Sequence, residues 1–298
     1  MKFSIVTPAY NMAPWISRTI ETVLDQAGDF DIEYIVMDDG SKDNTASVAR
    51  EYQQKVERGT YPIKARSITM QVVTQENSGM YEAINRGFAM ATGDIFAWIN
   101  ADDTYAPGAF AAMAKTFTAF PEIQWLKGIA HIVDTNWQKQ RDGNCTIYRQ
   151  DWLAAGIYGQ ESYFVQQDSV FWKAELWNKV APMPKQYRSA ADYWLWVQMA
   201  KHAPLWSLNL HVSNFMKREG QISKGVSKYK GEQWDTRPRR SLKAWGAKLF
   251  FTPQSRLGKR YERFFLWLYP YLYMHQPMEY IEIQDGIPTK QLARSYIV

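Results

Sequence analysis

Two clusters of carboxylates and one isolated aspartate carry the residue types with which this sequence could do chemistry. Asp102 and Asp103 stand side by side after an apolar run at 95–99 and a small Ala101. Carboxylates in that position are hard oxygen ligands, suited to a Mg2+ or Mn2+ ion that bridges a diphosphate. Aspartate also favours exposed turns and helix caps, so the pair alone has two explanations. Asp38, Asp39 and Asp43 lie in the run DDGSKD. A carboxylate there could accept hydrogen bonds from ribose hydroxyls or a pyrimidine imide, and a tight turn with a capping aspartate has the same pattern. Asp192 follows Ala190 and Ala191 and opens a strongly apolar stretch. At a helix N-terminus the dipole helps a carboxylate stay ionised, as a general base must. As a plain N-cap it would contribute roughly 1 kcal/mol. The residues leave both roles open.

The elements that must position these groups are legible in the first hundred residues. Residues 2–7 form a short β-branched run ending at Pro8, which predicts a buried strand. Ile16, Ile20, Val23 and Leu24 recur at helical spacing, with Pro14 tolerated in the first turn. Further strands are expected at 34–37, 68–74 and 95–99, and helices from Thr45 to about Lys55 and around Met80, Ile84 and Phe88. Asp43 is the expected cap of the former, and Gly93 the expected stop of the latter. Strands alternating with helices of this length imply crossover connections and a mostly parallel sheet. Residues 8–11, 38–43 and 100–103 then fall at strand ends along one edge, where open parallel sheets bind ligands. Beyond Pro107 a helix is expected over 109–120 and a buried one over 192–200, apolar nearly all round.

Composition narrows the class. With 298 residues and 46% hydrophobic content the chain has ample material for a core. The 13 Trp and 18 Tyr are expected mainly as core filler, with the rest available to stack on sugar rings or a base. A single cysteine, Cys145, rules out an internal disulfide framework and fits a reducing compartment. The N-terminal run lacks the apolar stretch of a signal peptide, and no apolar run reaches the ~18 residues of a bilayer span. A cytoplasmic chain is the expectation. Charge is uneven: residues 224–298 hold 14 Lys and Arg against 6 Asp and Glu, a net +8, so the +5 total leaves −3 on residues 1–223. A basic tail on a mildly acidic body suggests an anionic partner.

The runs SIVTPAYN, YIVMDDGSKDNT, ENSGMYEAINRGFAMATGDIFAWINADD, QQDSVFW and SAADYWLWVQMA, in that order, resemble the successive motifs of glycosyltransferase family 2. Each is weak alone; five in order over about residues 3–223 are specific. The resemblance implies the GT-A fold, a Rossmann-like α/β architecture with a mostly parallel central sheet and flanking helices. It also implies transfer of a sugar from a nucleoside-diphosphate sugar to an acceptor hydroxyl, with inversion and with Mn2+ or Mg2+. Carried over position by position, Thr7, Pro8, Tyr10 and Asp39 would line the nucleoside pocket, and Asn77, Gly79 and Asn85 would shape the donor site. Asp102 would contact the ribose or donor sugar, Asp103 would hold the metal, and Asp192 would be the base. Gln167 and Trp172 would border the acceptor. This chain departs from many relatives in having Asn100 where they have an aspartate, and Arg218 where they have a histidine. Arg218 would then neutralise the leaving diphosphate.

The expected organisation is a catalytic domain at 1–223, with a nucleotide-sugar half at 1–105 and an acceptor half at 106–223, followed by a mainly helical basic and aromatic extension at 224–298. Basic and aromatic residues interleave over 241–283, as in interface-seeking segments. That pattern suits a glycan or lipid-linked acceptor at the inner membrane face, with packing on the catalytic domain or a second subunit as the alternative. Expected donors are UDP-sugars first, with GDP- or dTDP-sugars behind them, and no nucleic acid. Three rivals are weaker. A nucleotidyltransferase would carry a Gly-rich basic loop where this chain reads Pro-Ala-Tyr-Asn-Met. A binding protein that retains the fold would not need Asp102, Asp103 and Asp192 together. A nucleic-acid module would leave the carboxylate-rich strand ends unexplained, since they repel phosphates.

Overall fold

The computed structural model describes residues 1–159, 164–221, 226–236, 278–293 and 298. Its first half alternates as the apolar periodicity requires: β1 (Lys2–Ala9), α1 (Ile16–Leu24), β2 (Gly28–Asp38), α2 (Thr45–Glu57), β3 (Ala65–Thr74), α3 (Met80–Met90) and β4 (Ile95–Trp98). There follow β5 (Thr104–Tyr105), α4 (Ala109–Ala119), β6 (Trp125–Val133), β7 (Lys139–Arg141) and α5 (Gln150–Ala154). A single 3-10 turn, Gln167–Ser169, leads into β8 (Val170–Lys173) and α6 (Ala174–Val180). The chain continues with α7 (Ala191–Ala200), β9 (Leu205–Met216), α8 (Val226–Thr236), β10 (Glu279–Gln284) and β11 (Ile287–Leu292).

Among the described residues the strands form one mixed sheet in the order β11-β10-β9-β6-β8-β4-β1-β2-β3, with β5 beside β9 and β7 beside β6. β1 runs parallel to both β2 and β4, so their C-terminal ends share one edge. The pleat sends alternate residues to opposite faces. Phe3 and Ile5 of β1, Ile32 and Tyr34 of β2, and Ile95 and Ala97 of β4 join the core under α1, α2 and α4. Val6, Ile35, Phe96 and Trp98 point the other way, into the core with α3, α6 and α7. Both faces of the central strands are therefore covered, which is why their sequences read as near-continuous apolar runs.

The second core is tryptophan-rich, and it sets the position of α7. Trp196 stacks on Trp98 at 5.7 Å between centroids and 6° between planes, and on Trp125 at 5.9 Å. Trp172 closes the cluster edge-on to Trp98 at 5.5 Å. Trp172 is fully buried there, so its ring offers no surface to an acceptor, contrary to the expectation that it borders one. Four of the 13 tryptophans thus serve this core as large flat rings stacked or edge-on to one another.

Gly93 also differs from expectation. α3 ends at Met90, and Ala91 already has extended backbone, so Gly93 is not the stop. Its N–H donates to Ser4 Oγ at 2.8 Å, and a Cβ would lie 2.8 Å from the Lys2 carbonyl oxygen and 2.9 Å from the Ser4 nitrogen. Those obstacles are backbone and cannot swing aside. Gly93→Ala is expected to lower stability by about 1–3 kcal/mol, read as a fall in the midpoint of thermal unfolding; an unchanged midpoint would show that β1 yields.

The described part of the C-terminal extension is a helix followed by a hairpin rather than mainly helix. α8 packs on α7, and β10 pairs in parallel with β9 through Ile281 and Leu208 while β11 returns antiparallel. Most of the basic and aromatic segment expected at 241–283 lies outside the described residues. Among the described residues no helix is long and apolar enough to cross a membrane.

Candidate active site

The loops after β1, β2 and β4 knit into one rim at the shared edge. The Asn11 N–H donates to Ser41 Oγ at 2.9 Å, and the Lys42 N–H donates to Asn11 Oδ1 at 2.8 Å. Asp43 Oδ1 accepts from the Thr45 N–H at 3.0 Å, and its Oδ2 from the Ala13 N–H at 3.1 Å. Asn44, not Asp43 as expected, stands at the N-cap position of α2; Asp43, one residue earlier, bonds the Thr45 N–H and ties the start of the helix to the loop before α1. These donors outweigh the cost of burial and hold its pKa below the usual carboxylate range. Tyr10, 40% exposed, presents its ring at the same rim. Pro8 is buried in β1, and the Thr7 hydroxyl shares a 3.0 Å hydrogen bond with the Tyr34 hydroxyl inside the sheet. Thr7 thus faces the core, not the cleft, with its side chain.

Asp39 organises the next wall. Its Oδ1 accepts from Gln75 Nε2 at 2.7 Å and the Ser78 N–H at 2.9 Å, and its Oδ2 from the Gly79 N–H at 2.8 Å. Gly79 turns the chain into α3 with φ +96°, a conformation that favours glycine. Asn77 is exposed at the crest of this loop. Asp38, at the end of β2, is buried with neither carboxylate oxygen bonded to a protein donor among the described residues. Asn85 departs from the expected donor role. Its amide donates to the Met183 carbonyl and accepts the Met183 N–H, both at 2.9 Å, which ties α3 to the loop leading into α7.

The adjacent aspartates have opposite environments. Asp103 is 0% exposed. Its Oδ1 accepts the Met216 N–H at 2.9 Å and its Oδ2 accepts from Asn100 Nδ2 at 3.1 Å. Burial, with Asp102 and Asp168 nearby, pushes its pKa well above the carboxylate range. Asp102 instead accepts at Oδ2 from Arg218 Nε at 2.7 Å and from Gln221 Nε2 at 3.2 Å, and its Oδ1 has no protein partner among the described residues. The Arg218 guanidinium lies 4.6 Å above the Trp15 ring, so it joins the β4 rim to the loop after β1. Gln167 braces the same rim from below, donating to the Trp98 carbonyl at 2.6 Å and accepting from Asn100 Nδ2 at 3.3 Å. Among the described residues no group of three or more His, Cys, Asp or Glu gathers around a potential metal position.

Asp192 stands in the first turn of α7, with Ala190 at the N-cap position. It is 8% exposed. Its Oδ1 accepts the Tyr193 N–H at 2.7 Å, the Tyr229 hydroxyl at 3.1 Å and, at 3.4 Å, the Tyr81 hydroxyl, which also reaches the Ser189 carbonyl at 3.0 Å. Oδ2 has no protein partner among the described residues. Burial outweighs these donors and pushes the pKa up to about 6. Tyr81, Gln221, Trp15 and Tyr229 were not singled out from the sequence. Tyr81 and Trp15 lie close to runs already quoted, whereas Gln221 and Tyr229 carry no local signal.

Comparison with known proteins relates this fold to a family. The profile of Glycosyl transferase family 2 matches residues 4–172, more than half of the chain, and the chain belongs to that family. An uncharacterised glycosyltransferase of Nostoc is 34% identical over 134 residues, 45% of this chain and 37% of the relative. Escherichia coli chondroitin synthase is 24% identical over 209 residues, 69% of this chain but 27% of its own length. The matches thus span little more than a third, or less, of these relatives. Among solved structures, S. aureus TarS 1–349 in complex with UDP-GlcNAc shares the fold with TM-score 0.59 at 15% identity, covering 99% of this chain and 98% of that one. The mannosyltransferase PcManGT from Pyrobaculum calidifontis, in complex with GDP-Man and Mn2+, gives TM-score 0.53 at 16% identity, covering 92% and 88%.

Proposed function

We propose that this glycosyltransferase transfers a sugar from a nucleoside-diphosphate donor to an acceptor hydroxyl in a single displacement that inverts the anomeric centre. The observation that carries the reading is Asp192: a buried carboxylate, fixed through Oδ1, with Oδ2 unbonded to protein among the described residues. Oδ2 takes the proton of the acceptor hydroxyl as that oxygen attacks C1 of the donor sugar. The C1–oxygen bond to the diphosphate breaks on the opposite face, and the pair of electrons leaves with the phosphate. Arg218, already at the rim with Asp102, supplies positive charge where the diphosphate departs. Tyr10 stacks against the base, and Asp38 and the loop anchored by Asp39 offer acceptors to nucleoside donors. In this reading residues 1–223 hold the groups that act directly on donor and acceptor.

A divalent ion fits Asp102. Mg2+ is commonly held by one or two carboxylates plus substrate phosphates, so the lack of an all-protein cage is no obstacle. Among the described residues Asp102 has one oxygen without a protein partner at the rim, whereas each oxygen of Asp103 accepts a protein donor; we therefore place the ion at Asp102 first and keep Asp103, which the family resemblance names, as the second position. When bound, Mn2+ or Mg2+ would supply charge neutralisation to the diphosphate. Arg218 shares that task, which would lessen dependence on the metal.

The nucleotide complexes of TarS and PcManGT support a nucleotide-sugar donor, with UDP-sugars first. The likeness to chondroitin synthase supports a glycan acceptor, in envelope or exported polysaccharide. A lipid-linked acceptor met at the inner membrane face through 224–298 extends that reading. Thermal unfolding with UDP, GDP, CDP and dTDP, each with and without Mn2+, tests donor binding. A ligand at ~100 times its Kd adds about 2.7 kcal/mol. Stabilisation by UDP, strengthened by Mn2+, is the expected result; no shift with any nucleotide at millimolar concentration would refute the donor site.

A further inference from the structure

α8 lies beyond the stretch matched by the family profile, yet two of its side chains close over the start of α7. Glu232 accepts the N–H groups of three successive residues. The Arg188 N–H lies 3.1 Å from each oxygen, and those of Ser189 and Ala190 lie 2.8 Å from Oε2. The Ser189 hydroxyl donates to Oε1 at 3.2 Å. Burial pushes the Glu232 pKa up, but the Ser189, Arg188 and Ala190 donors outweigh it and hold the carboxylate below its usual range. Three residues of backbone immediately before α7 are thus pinned to one anion.

Tyr229, one helical turn earlier, is buried against Ala190, Tyr193 and Val197, with Phe164 edge-on at 5.9 Å. Its hydroxyl donates to Asp192 Oδ1 at 3.1 Å. Tyr81 reaches the same oxygen from α3, so hydroxyls from two elements hold one carboxylate oxygen and leave the other open. A close approach at Gly159, where a Cβ would lie 2.9 Å from Gln233 Nε2, seats the same helix on the loop after α5.

We propose that Tyr229 and Glu232 are positioning residues of the transfer reaction: Glu232 fixes the backbone at 188–190, Tyr229 fixes the orientation of Asp192, and α8 thereby completes the base site. The catalytic part of this statement rests on the reading of Asp192 as the base. The groups that face Asp192 are the hydroxyls of Tyr81 and Tyr229, with Glu232 behind Ser189. α3 also carries Glu82, paired with Arg86 and Lys185. α5 brings Asp151, paired with Arg149, and α6 brings Glu175 and Lys179, both exposed.

The test uses the full chain labelled with 13C at the aspartate carboxyl. The Asp192 resonance is identified by its loss in Asp192→Asn. Tyr229→Phe keeps the ring and removes the donor to the ionised form, so the Asp192 midpoint should rise, with roughly a tenfold gain in proton affinity. Glu232→Gln should speed amide hydrogen exchange at 188–190 and leave exchange in β1 and β2 unchanged. An Asp192 titration in Tyr229→Phe that superimposes on wild type overturns the role of Tyr229. Unchanged exchange at 188–190, or an equal rise throughout the chain, overturns that of Glu232. If both shifts appear but wild type transfers no sugar, the functional reading fails and the placement stands. If wild type transfers sugar and neither shift appears, this inference alone fails.

Discussion

Asp192→Asn should cut sugar transfer severely while nucleotide binding survives. General-base catalysis contributes roughly 10²–10⁴-fold, and transfer should fall by that amount with the nucleotide-dependent thermal shift retained, because Asp192 lies at α7 and not at the β1–β2 rim. Asparagine keeps an acceptor for the Tyr193, Tyr229 and Tyr81 donors but has no basic oxygen. The same substitution should raise stability at neutral pH. The carboxyl has its pKa pushed from 3.8 to about 6 by burial. A group whose folded pKa lies above its unfolded value contributes stability that is present below the unfolded pKa and is lost as pH rises through the folded one. Wild type therefore loses up to about 3 kcal/mol between pH 4 and 7 through this group. Unfolding measured across that range should show Asp192→Asn more stable at pH 7.5, with the difference closing toward pH 4. Wild-type transfer should likewise switch on as pH rises through about 6. Transfer near the wild-type rate in the variant would remove Asp192 from the base role.

Asp102→Ala should be the most damaging change at the rim. It strands the Arg218 guanidinium, whose side chain is 13% exposed, without its carboxylate partner. Breaking a buried pair by removing one member costs on the order of 3–5 kcal/mol, because an uncompensated charge is left behind. Arg218→Ala should cost a similar amount, and the double variant should cost clearly less than the sum. Asp102→Asn separates stability from ligand binding: it retains an acceptor for Arg218 but weakens cation binding. Mn2+ should then add nothing to stabilisation by UDP. A cation effect that persists in Asp102→Asn but disappears in Asp103→Asn would return the metal role to Asp103.

Apart from the two-residue β5, strand and helix order through α4 was legible because each element carries its own apolar period and the parallel strands are buried on both faces. The carboxylates at the strand ends were legible for the same reason, since a strand stops where polar residues begin. The roles of neighbours within a motif were not. Asp102 and Asp103 are chemically identical in sequence, and tertiary partners distinguish them: the Met216 N–H and Asn100 amide on Asp103, Arg218 and Gln221 on Asp102. The family resemblance sets Trp172 at the border of the acceptor, and exposure cannot be deduced from residue type; the sheet places it beneath α7. Asn85 read as a donor contact for want of any sign of Met183, 98 residues away. Tyr229 and Glu232 lie in a stretch with weak apolar periodicity and touch the site only through tertiary packing of α8.

The anomeric configuration of the first sugar product, followed by proton NMR with the donor whose nucleotide stabilises the chain, tests the central claim most directly. An α-linked donor should yield a β-configured product from wild type and severely reduced product from Asp192→Asn. An α-configured product, or equal turnover by the variant, would contradict single displacement with Asp192 as the base.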